Sequence, residues 1–270
     1  MKIIVITGAS DGIGAEMARQ LAKRHGAGVA LVLAARDKAR LGHVATECIA
    51  LGAQATAVQT DVSQESQCRH LIATATTLHG RIDALINNAG MSAQALFGDV
   101  KAADLAWYEQ LMRINLWGSV WCTHAALPWL KQSRGSIVAV SSLAGLIGVP
   151  GRTAYSATKF AMTGFFEALR AELKITGVSV TTAYPGVVAT NIRHHGFNAA
   201  GEAAGSSGLR EDGAMSVEEC ARLILTGMEK RQREVVMTAK GKLGRWLKLL
   251  APGRVEAMAL AALNDDVKPK

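Results

Sequence analysis

The 270-residue sequence predicts one α/β domain, a doubly wound parallel sheet of about seven strands flanked by helices. Short β-branched runs alternate along the chain with longer stretches of helical periodicity. The strand-like runs are apolar throughout rather than alternating, as strands covered on both faces must be. With 49% hydrophobic and 19% charged residues, the chain has ample material for a core and is not a disordered polymer.

Residues 3–7 read as the first strand, and residues 12–24 as a helix with Ile13, Met17 and Leu21 on one face. Residues 29–35 and 55–59 are the second and third strands. Ser63 is the expected N-cap of a helix running to about residue 78, before a fourth strand over 82–86. Residues 102–130 are helical with a kink expected before Pro128. A strand over 135–141 and a long helix over 154–176 follow. The strand over 178–184 stops at Pro185-Gly186, and a helix over 217–230 and a strand over 234–237 complete the pattern. Between them, residues 198–213 are rich in Gly, Ala and Ser without periodicity, and read as a mobile loop over a site, within a segment spanning about 190–215. No domain boundary is visible, so residues 1–270 form one domain.

Several classes are excluded. There is no Gly-X-Y repeat and no fixed period. Cys48, Cys68, Cys122 and Cys220 are far apart and form no CxxC pair, which points to a reduced, cytoplasmic chain. The apolar start ends at Thr7-Gly8, too early for a secretory signal. The longest uncharged stretches, 114–130 and 135–151, fall short of the ~20 residues of a spanning helix. Part of the net charge of +8 lies in Lys240, Lys242, Arg245, Lys248 and Arg254, with no acid between them.

The turn after the first strand, Thr7-Gly8-Ala9-Ser10-Asp11-Gly12-Ile13-Gly14, is glycine-rich and opens a helix. Such a turn lets backbone N–H groups approach a phosphate at the positive end of the helix dipole. Its spacing is GxxxGxG rather than GxGxxG. A site for NAD places an acid about 20 residues downstream, on the ribose 2′-hydroxyl. Here the second strand ends in Ala34-Ala35-Arg36, which offers a guanidinium to a 2′-phosphate, while Asp37 faces the loop. NADP(H) is the expected cofactor.

Tyr155 and Lys159 are four apart on a predicted helix and share a face, and Ser142 ends the preceding strand. A free phenol, with a pKa near ~10, is a poor proton shuttle at neutral pH. A neighbouring ammonium favours the phenolate, so a phenol beside a lysine can exchange a proton with a carbonyl oxygen as hydride arrives or leaves. Ser142 would hydrogen-bond the same oxygen.

On these motifs the chain resembles the short-chain dehydrogenase/reductase superfamily over residues 2–192, which implies a Rossmann-type fold and an oxidoreductase. The resemblance assigns the cofactor to Gly8, Ser10, Asp11, Gly12, Ile13 and Gly14, and the adenine contact to Asp61-Val62. It assigns the sheet-stabilising stretch beside the cofactor to Asn87-Asn88-Ala89-Gly90, and the nicotinamide carboxamide contact to the segment from Pro185-Gly186 through Val188 to Thr190. It makes Asn115, Ser142, Tyr155 and Lys159 the catalytic set: Asn115 holds a relay water, and Lys159 binds the nicotinamide ribose during 4-pro-S hydride transfer. Ser141-Ser142-Leu143-Ala144-Gly145 and Ala161-Met162-Thr163-Gly164-Phe165-Phe166 look most like the 11β-hydroxysteroid dehydrogenase branch, which uses NADP and includes membrane-associated reductases. That branch carries a basic residue where Asp11 stands, leaving Arg36 as the one base for the phosphate.

The expected reaction is reduction of a ketone or aldehyde to an alcohol, or its reverse, with Ser142, Leu143, Tyr155 and Val187 at the substrate. Leu143, Val187, Phe197 and Met215 point to a small apolar carbonyl or alcohol. Two alternatives stand beside it, an NADP(H)-binding redox-sensing regulator without turnover and an NAD-dependent alcohol dehydrogenase. His194-His195 lack further ligands at metal spacing, so no metal is expected. Trp107, Trp117, Trp121 and Trp129 mark core or a subunit interface, and the resemblance implies a homodimer or homotetramer. Residues 240–263 form a basic amphipathic segment interrupted at Pro252-Gly253, suited to packing on its own subunit or to peripheral membrane contact. Its basic residues interleave with leucine and present no stacking aromatic face, which argues against nucleic acid.

Overall fold

The computed structural model describes residues 1–209 and 211–263. Position 210, inside the predicted loop, and residues 264–270 of the predicted domain lie outside the described residues. The strands are β1 (Lys2–Thr7), β2 (Val29–Ala35), β3 (Gln54–Gln59), β4 (Ala84–Asn87), β5 (Ser136–Val140), β6 (Ser179–Tyr184) and β7 (Glu234–Val236). They form one seven-stranded sheet in the order β3-β2-β1-β4-β5-β6-β7, every neighbouring pair parallel. After β3 the chain crosses back to place β4 beside β1. The strand order therefore reverses between β1 and β4, and the crevice outside their carboxyl ends is where such sheets bind ligands.

Helices cover both faces. α1 (Gly12–His25), α2 (Lys38–Ala50) and α7 (Val217–Glu229) pack against one side, sharing a core with Ile4, Ile6, Leu31 and Leu33. α3 (Glu65–His79), α5 (Gly118–Ser133) and α6 (Thr153–Glu172) pack against the other, with Val5, Val32, Leu85 and Ile137. Ile4, Val5 and Ile6 of β1 thus point alternately into the two cores and are all buried, which is why residues 3–6 of that strand are apolar throughout.

Several local expectations are corrected. Ser63 does not cap α3; its N–H donates to the Asp61 carboxylate (2.9 Å), and the helix begins two residues later without a side-chain cap. The side chain of Asp61 makes the turn itself, an alternative open to Asp just after a strand. The predicted 102–130 helix is α4 (Ala106–Met112), a π-helical turn over Arg113–Trp117, and α5. α5 continues through Pro128, so the departure from α geometry lies at 113–117 rather than before the proline. The last residues of the predicted 154–176 helix form a separate 3-10 turn, Lys174–Thr176.

The Gly/Ala/Ser-rich segment carries no helix or strand among its described residues, and its start is fastened to the loop after β4. Phe197 N–H donates to Ser92 O (3.0 Å), and Gln94 N–H donates to Phe197 O (2.8 Å). The C-terminal segment forms α8 (Ala239–Leu250) and α9 (Pro252–Ala261), parted at Pro252 as its composition predicts. α8 seats Gly241 and Gly244 against Leu143 and Ile147. Its other side is open: Trp246 is 66% and Leu250 86% exposed. α9 turns back with Val255 buried, and Leu263 bridges to Leu209. Among the described residues no helix is long and apolar enough to cross a membrane. All four cysteines are free and buried. Burial pushes the Cys48 thiol up to about 11 and the Cys220 thiol up to about 12, so neither is a nucleophile near neutral pH.

Candidate active site

A cavity of about 950 Å³ opens at the carboxyl ends of the strands, over the point where the strand order reverses. Its floor is where the loops after β1 and β4 meet. Thr7 Oγ1 accepts from the N–H groups of Asn88 and Ala89 (3.0 Å each), and Asn88 Nδ2 donates to Thr7 O (3.0 Å) and Gly8 O (3.1 Å). Glycine is required at this junction. A Cβ on Gly14 would stand 2.1 Å from the carbonyl oxygen of Gly8, and Gly8 itself has φ +66°. The turn is therefore a backbone cradle at the start of α1, and no acidic residue follows in the first turn of the helix. Asp11 caps α1, its carboxylate accepting from Gly12 N–H (2.7 Å) and lying 3.6 Å from Arg40. An anionic diphosphate fits this cradle.

At the tip of β2, Arg36 is exposed, lines the cavity, and makes no ion pair among the described residues. Asp37 caps α2, accepting from Arg40 N–H (3.0 Å), and its carboxylate lies 3.3 Å from Arg40 Nε. Asp37 is thereby committed to the helix start. Arg40, unnoticed in the sequence, lines the same end of the cavity, so Arg36 is not the only base there. Its spacing of three from the capping Asp37 was the available signal.

The opposite end of the cavity gathers Ser142, Tyr155 and Lys159. Ser142 ends the loop after β5 and caps a short 3-10 turn (Leu143–Gly145), its Oγ accepting from Ala144 N–H (3.2 Å). A Cβ on Gly145 would lie 2.7 Å from the Lys159 carbonyl oxygen, so this turn and α6 touch through their backbones. That contact brings Ser142 to the wall formed by Tyr155 and Lys159. Tyr155 is 8% exposed, with the Arg152 guanidinium carbon 4.2 Å and Lys159 Nζ 5.7 Å from its ring centre. Lys159 Nζ donates to Val140 O (3.0 Å) and approaches Met162 Sδ (3.5 Å), which leaves one N–H of the ammonium for a ligand. Burial holds its pKa below the ordinary lysine value, and Arg152 pushes the same way, while Tyr155 opposes both.

Asn115 sits in the π-helical turn, fully buried. Its Oδ1 accepts from Met91 N–H (2.7 Å), and its Nδ2 donates to Met91 O (3.0 Å) and Thr158 Oγ1 (2.9 Å). Thr158 Oγ1 donates in turn to Tyr155 O (2.8 Å). The side chain thus joins the loop after β4 to α6. π-helical turns recur at functional sites because they re-aim one residue of a helix.

Of the residues expected at the cofactor or substrate, Ser10, Ile13, Asp61, Val62, Asn88, Ala89, Gly90, Leu143, Pro185, Gly186, Val187, Val188 and Thr190 line the cavity with those already described. Gly14 lies behind the loop and Asn115 behind the wall. Phe197 stacks on Trp107 (5.6 Å between ring centres) and Met215 packs on the α1–α7 core, so neither reaches the cavity. His195 lines it, whereas His194 bonds Gly205 O (3.1 Å). Unforeseen residues in the lining include Arg152, Arg193, Ala259 and Ala262, the last two from α9 and the residue after it. No grouping of three metal-ligating residues occurs among the described residues.

The family model described as short chain dehydrogenase matches residues 2–200. This chain belongs to the short-chain dehydrogenase family. It is 36% identical over 262 residues to 11-beta-hydroxysteroid dehydrogenase 1A of Arabidopsis thaliana, covering 94% of this chain and 73% of that one. The corresponding protein A of Sesamum indicum is 35% identical over 261 residues, with the same coverage. The dehydrogenase thus falls in the 11β-hydroxysteroid dehydrogenase-like branch. Its fold is shared with an alcohol dehydrogenase of the archaeon Thermococcus sibiricus, solved with 5-hydroxy-NADP (TM-score 0.72, 23% identity, covering 87% of this chain and 94% of that one). The glycine cradle of this short-chain dehydrogenase suits the nicotinamide dinucleotide that its membership implies. Gly14→Ala forces the new methyl into Gly8 O, and is expected to weaken dinucleotide binding at least ~10-fold, read by nicotinamide fluorescence titration.

Proposed function

We propose that this dehydrogenase interconverts a ketone or aldehyde and its alcohol with NADP(H), Tyr155 carrying the proton. The carrying observation is the buried Tyr155–Lys159 pair facing one cavity with Ser142. When bound, the nicotinamide supplies or accepts the hydride. Tyr155 donates its phenolic proton to the carbonyl oxygen in reduction, and takes it back in oxidation. The Ser142 hydroxyl, whose oxygen already accepts from Ala144 N–H, has its own proton free to hydrogen-bond that same oxygen. Lys159 offers its remaining N–H to the nicotinamide ribose and keeps positive charge beside the phenol. Asn115 steadies the relay by holding Met91 and Thr158 in register with Tyr155. Leu143 and Val187 bound the substrate.

The preference for NADP(H) rests on Arg36, unpaired at the tip of β2, and Arg40 beside it. Asp37 spends its carboxylate on the start of α2 and on Arg40, which weighs against its serving as the ribose 2′-hydroxyl acceptor of the NAD reading. Tyr155 and Lys159 together disfavour a regulator without turnover. Assembly into two or four copies belongs to the same reading: Trp117 is exposed on the α5 side and stacks on Trp121 (5.8 Å), a face whose occupancy light scattering reads. Peripheral membrane contact through α8 rests on Leu243, Trp246, Leu249 and Leu250, exposed beside Lys242 and Lys248.

Tyr155→Phe is expected to lower kcat by at least ~1,000-fold with NADPH binding nearly unchanged; turnover within tenfold of the parent would refute the assignment. Arg36→Ala and Arg40→Ala are each expected to weaken NADPH binding on the order of tenfold and to leave NADH alone, and equal losses for both cofactors would refute the NADP(H) preference. Trp246→Glu with Leu250→Glu is expected to abolish flotation with anionic liposomes; identical flotation of parent and variant would exclude the membrane contact.

A further inference from the structure

The proposed chemistry leaves one cation of the cavity unused. Arg152 lies at the start of α6, three residues before Tyr155, and is 7% exposed. Its Nε donates to Ala93 O (3.2 Å) and its Nη2 to Ser92 Oγ (2.5 Å), which fixes the guanidinium under the loop after β4. No hydrogen bond is made by Nη1, and among the described residues no carboxylate pairs with the side chain. The titratable groups beside it are the Tyr155 phenol and Arg193, and Lys159 senses Arg152 as a repulsive charge. Arg193 differs, because Glu211 lies 2.7 Å from it and has its own carboxyl held below the usual range by that contact.

A guanidinium does not escape burial by releasing its proton, and a buried charge without a counter-charge is unfavourable. Arg152 nevertheless stands on the cavity wall, over the ring of the very tyrosine that meets the reacting oxygen. A neutral carbonyl compound would seal this charge from water without compensating it. An anionic group would compensate it and fill the open donor of the planar fork. The lining of the same cavity also carries apolar residues, Leu143, Val149, Val187, Leu209 and Ala259.

Resting on the oxidoreductase reading above, we propose that Arg152 is the substrate's anion anchor and that the substrate is an oxo acid or hydroxy acid, with its carboxylate within a few bonds of the reacting carbon and an apolar remainder. The wholly apolar substrate expected from the sequence is thereby revised. In reduction the carbonyl carbon gains hydride from NADPH and the oxygen gains the Tyr155 proton. The phenol is reprotonated from solvent, and the carboxylate passes through unchanged, so oxo acid, NADPH and a proton become hydroxy acid and NADP⁺.

The test uses the full chain and matched substrates of one chain length: 2-oxo and 3-oxo alkanoates, their methyl esters, and the methyl ketones. NADPH consumption is expected to favour acid over ester on the order of 30-fold or more in kcat/KM, carried mostly by KM. Arg152→Met should erase that difference and Arg152→Lys should restore part of it. A second readout needs no turnover: binding of an unreactive alkanoate and of the matching alkanol to the NADPH complex, by calorimetry. The alkanoate should bind the parent at least ~10-fold tighter than the alkanol, and equally weakly after Arg152→Met. Arg152→Gln, which keeps two donors, replaces the Met variant should that one not bind NADPH. Equal rates on acid and ester, or an alkanoate preference surviving in the variants, would overturn the anchor. Alkanoate binding lost in the variants while no acid, ester or ketone is consumed would keep the anchor and refute the oxidoreductase reading.

Discussion

The cavity depends on the contact between the loops that follow β1 and β4. Those strands are neighbours in space and far apart in sequence, and their carboxyl ends are held together by the hydroxyl of Thr7 and the amide of Asn88. Because Gly8 and Gly14 carry no side chain, the first turn of α1 can rest on the carbonyl of Gly8 and the loop can lie against Ala89. Spread this junction by one methyl group, and the backbone donors of the cradle turn away from a common point. The cradle, the tip of β2 and the wall of α6 all take their positions from it.

Charge divides the cavity into two ends. At the tip of β2 the cations are exposed and partly satisfied, Arg40 by two carboxylates and Arg36 by solvent. At the other end, Lys159 and Arg152 are buried, and no ion pair with an acid is made by either among the described residues. Such an end favours a negative charge, whether it develops on an oxygen during reaction or arrives on the substrate. Each cation hydrogen-bonds to one backbone carbonyl and one side-chain atom, so their positions are set before any ligand binds.

Two departures from regular structure serve this end. The π-helical turn at 113–117 rotates Asn115 inward, where its amide spans from Met91 to Thr158 and couples the loop after β4 to the backbone of Tyr155. The turn at 143–145 presses against α6 through Gly145 and so places Ser142 beside Tyr155. α9 contributes Ala259 to the cavity lining, and α8 rests on that same turn through Gly241 and Leu143.

The strands, most helices and the Ser142, Tyr155 and Lys159 constellation were legible in the sequence. They rest on short-range rules: continuous apolar runs for strands buried on both faces, helical spacing for Tyr155 and Lys159, and glycine where a backbone must come close. Arg152, Arg40 and the α9 contribution to the lining were not legible. A charged residue in a sequence looks the same whether it meets water or lines a cavity, and only the tertiary structure put Arg152 over the ring of Tyr155. Phe197 and Met215 failed in the opposite sense, since apolar residues of a loop suit a substrate pocket and a core equally well until packing assigns them. Ser63 and Pro128 misled for a related reason. Capping and kinking are decided by competing partners and neighbouring packing, and here the carboxylate of Asp61 made the turn before α3 while α5 ran on through its proline. The chain's local chemistry determined which elements form and which groups can react. Long-range packing determined which charges lose their water, because burial depends on neighbours distant in sequence.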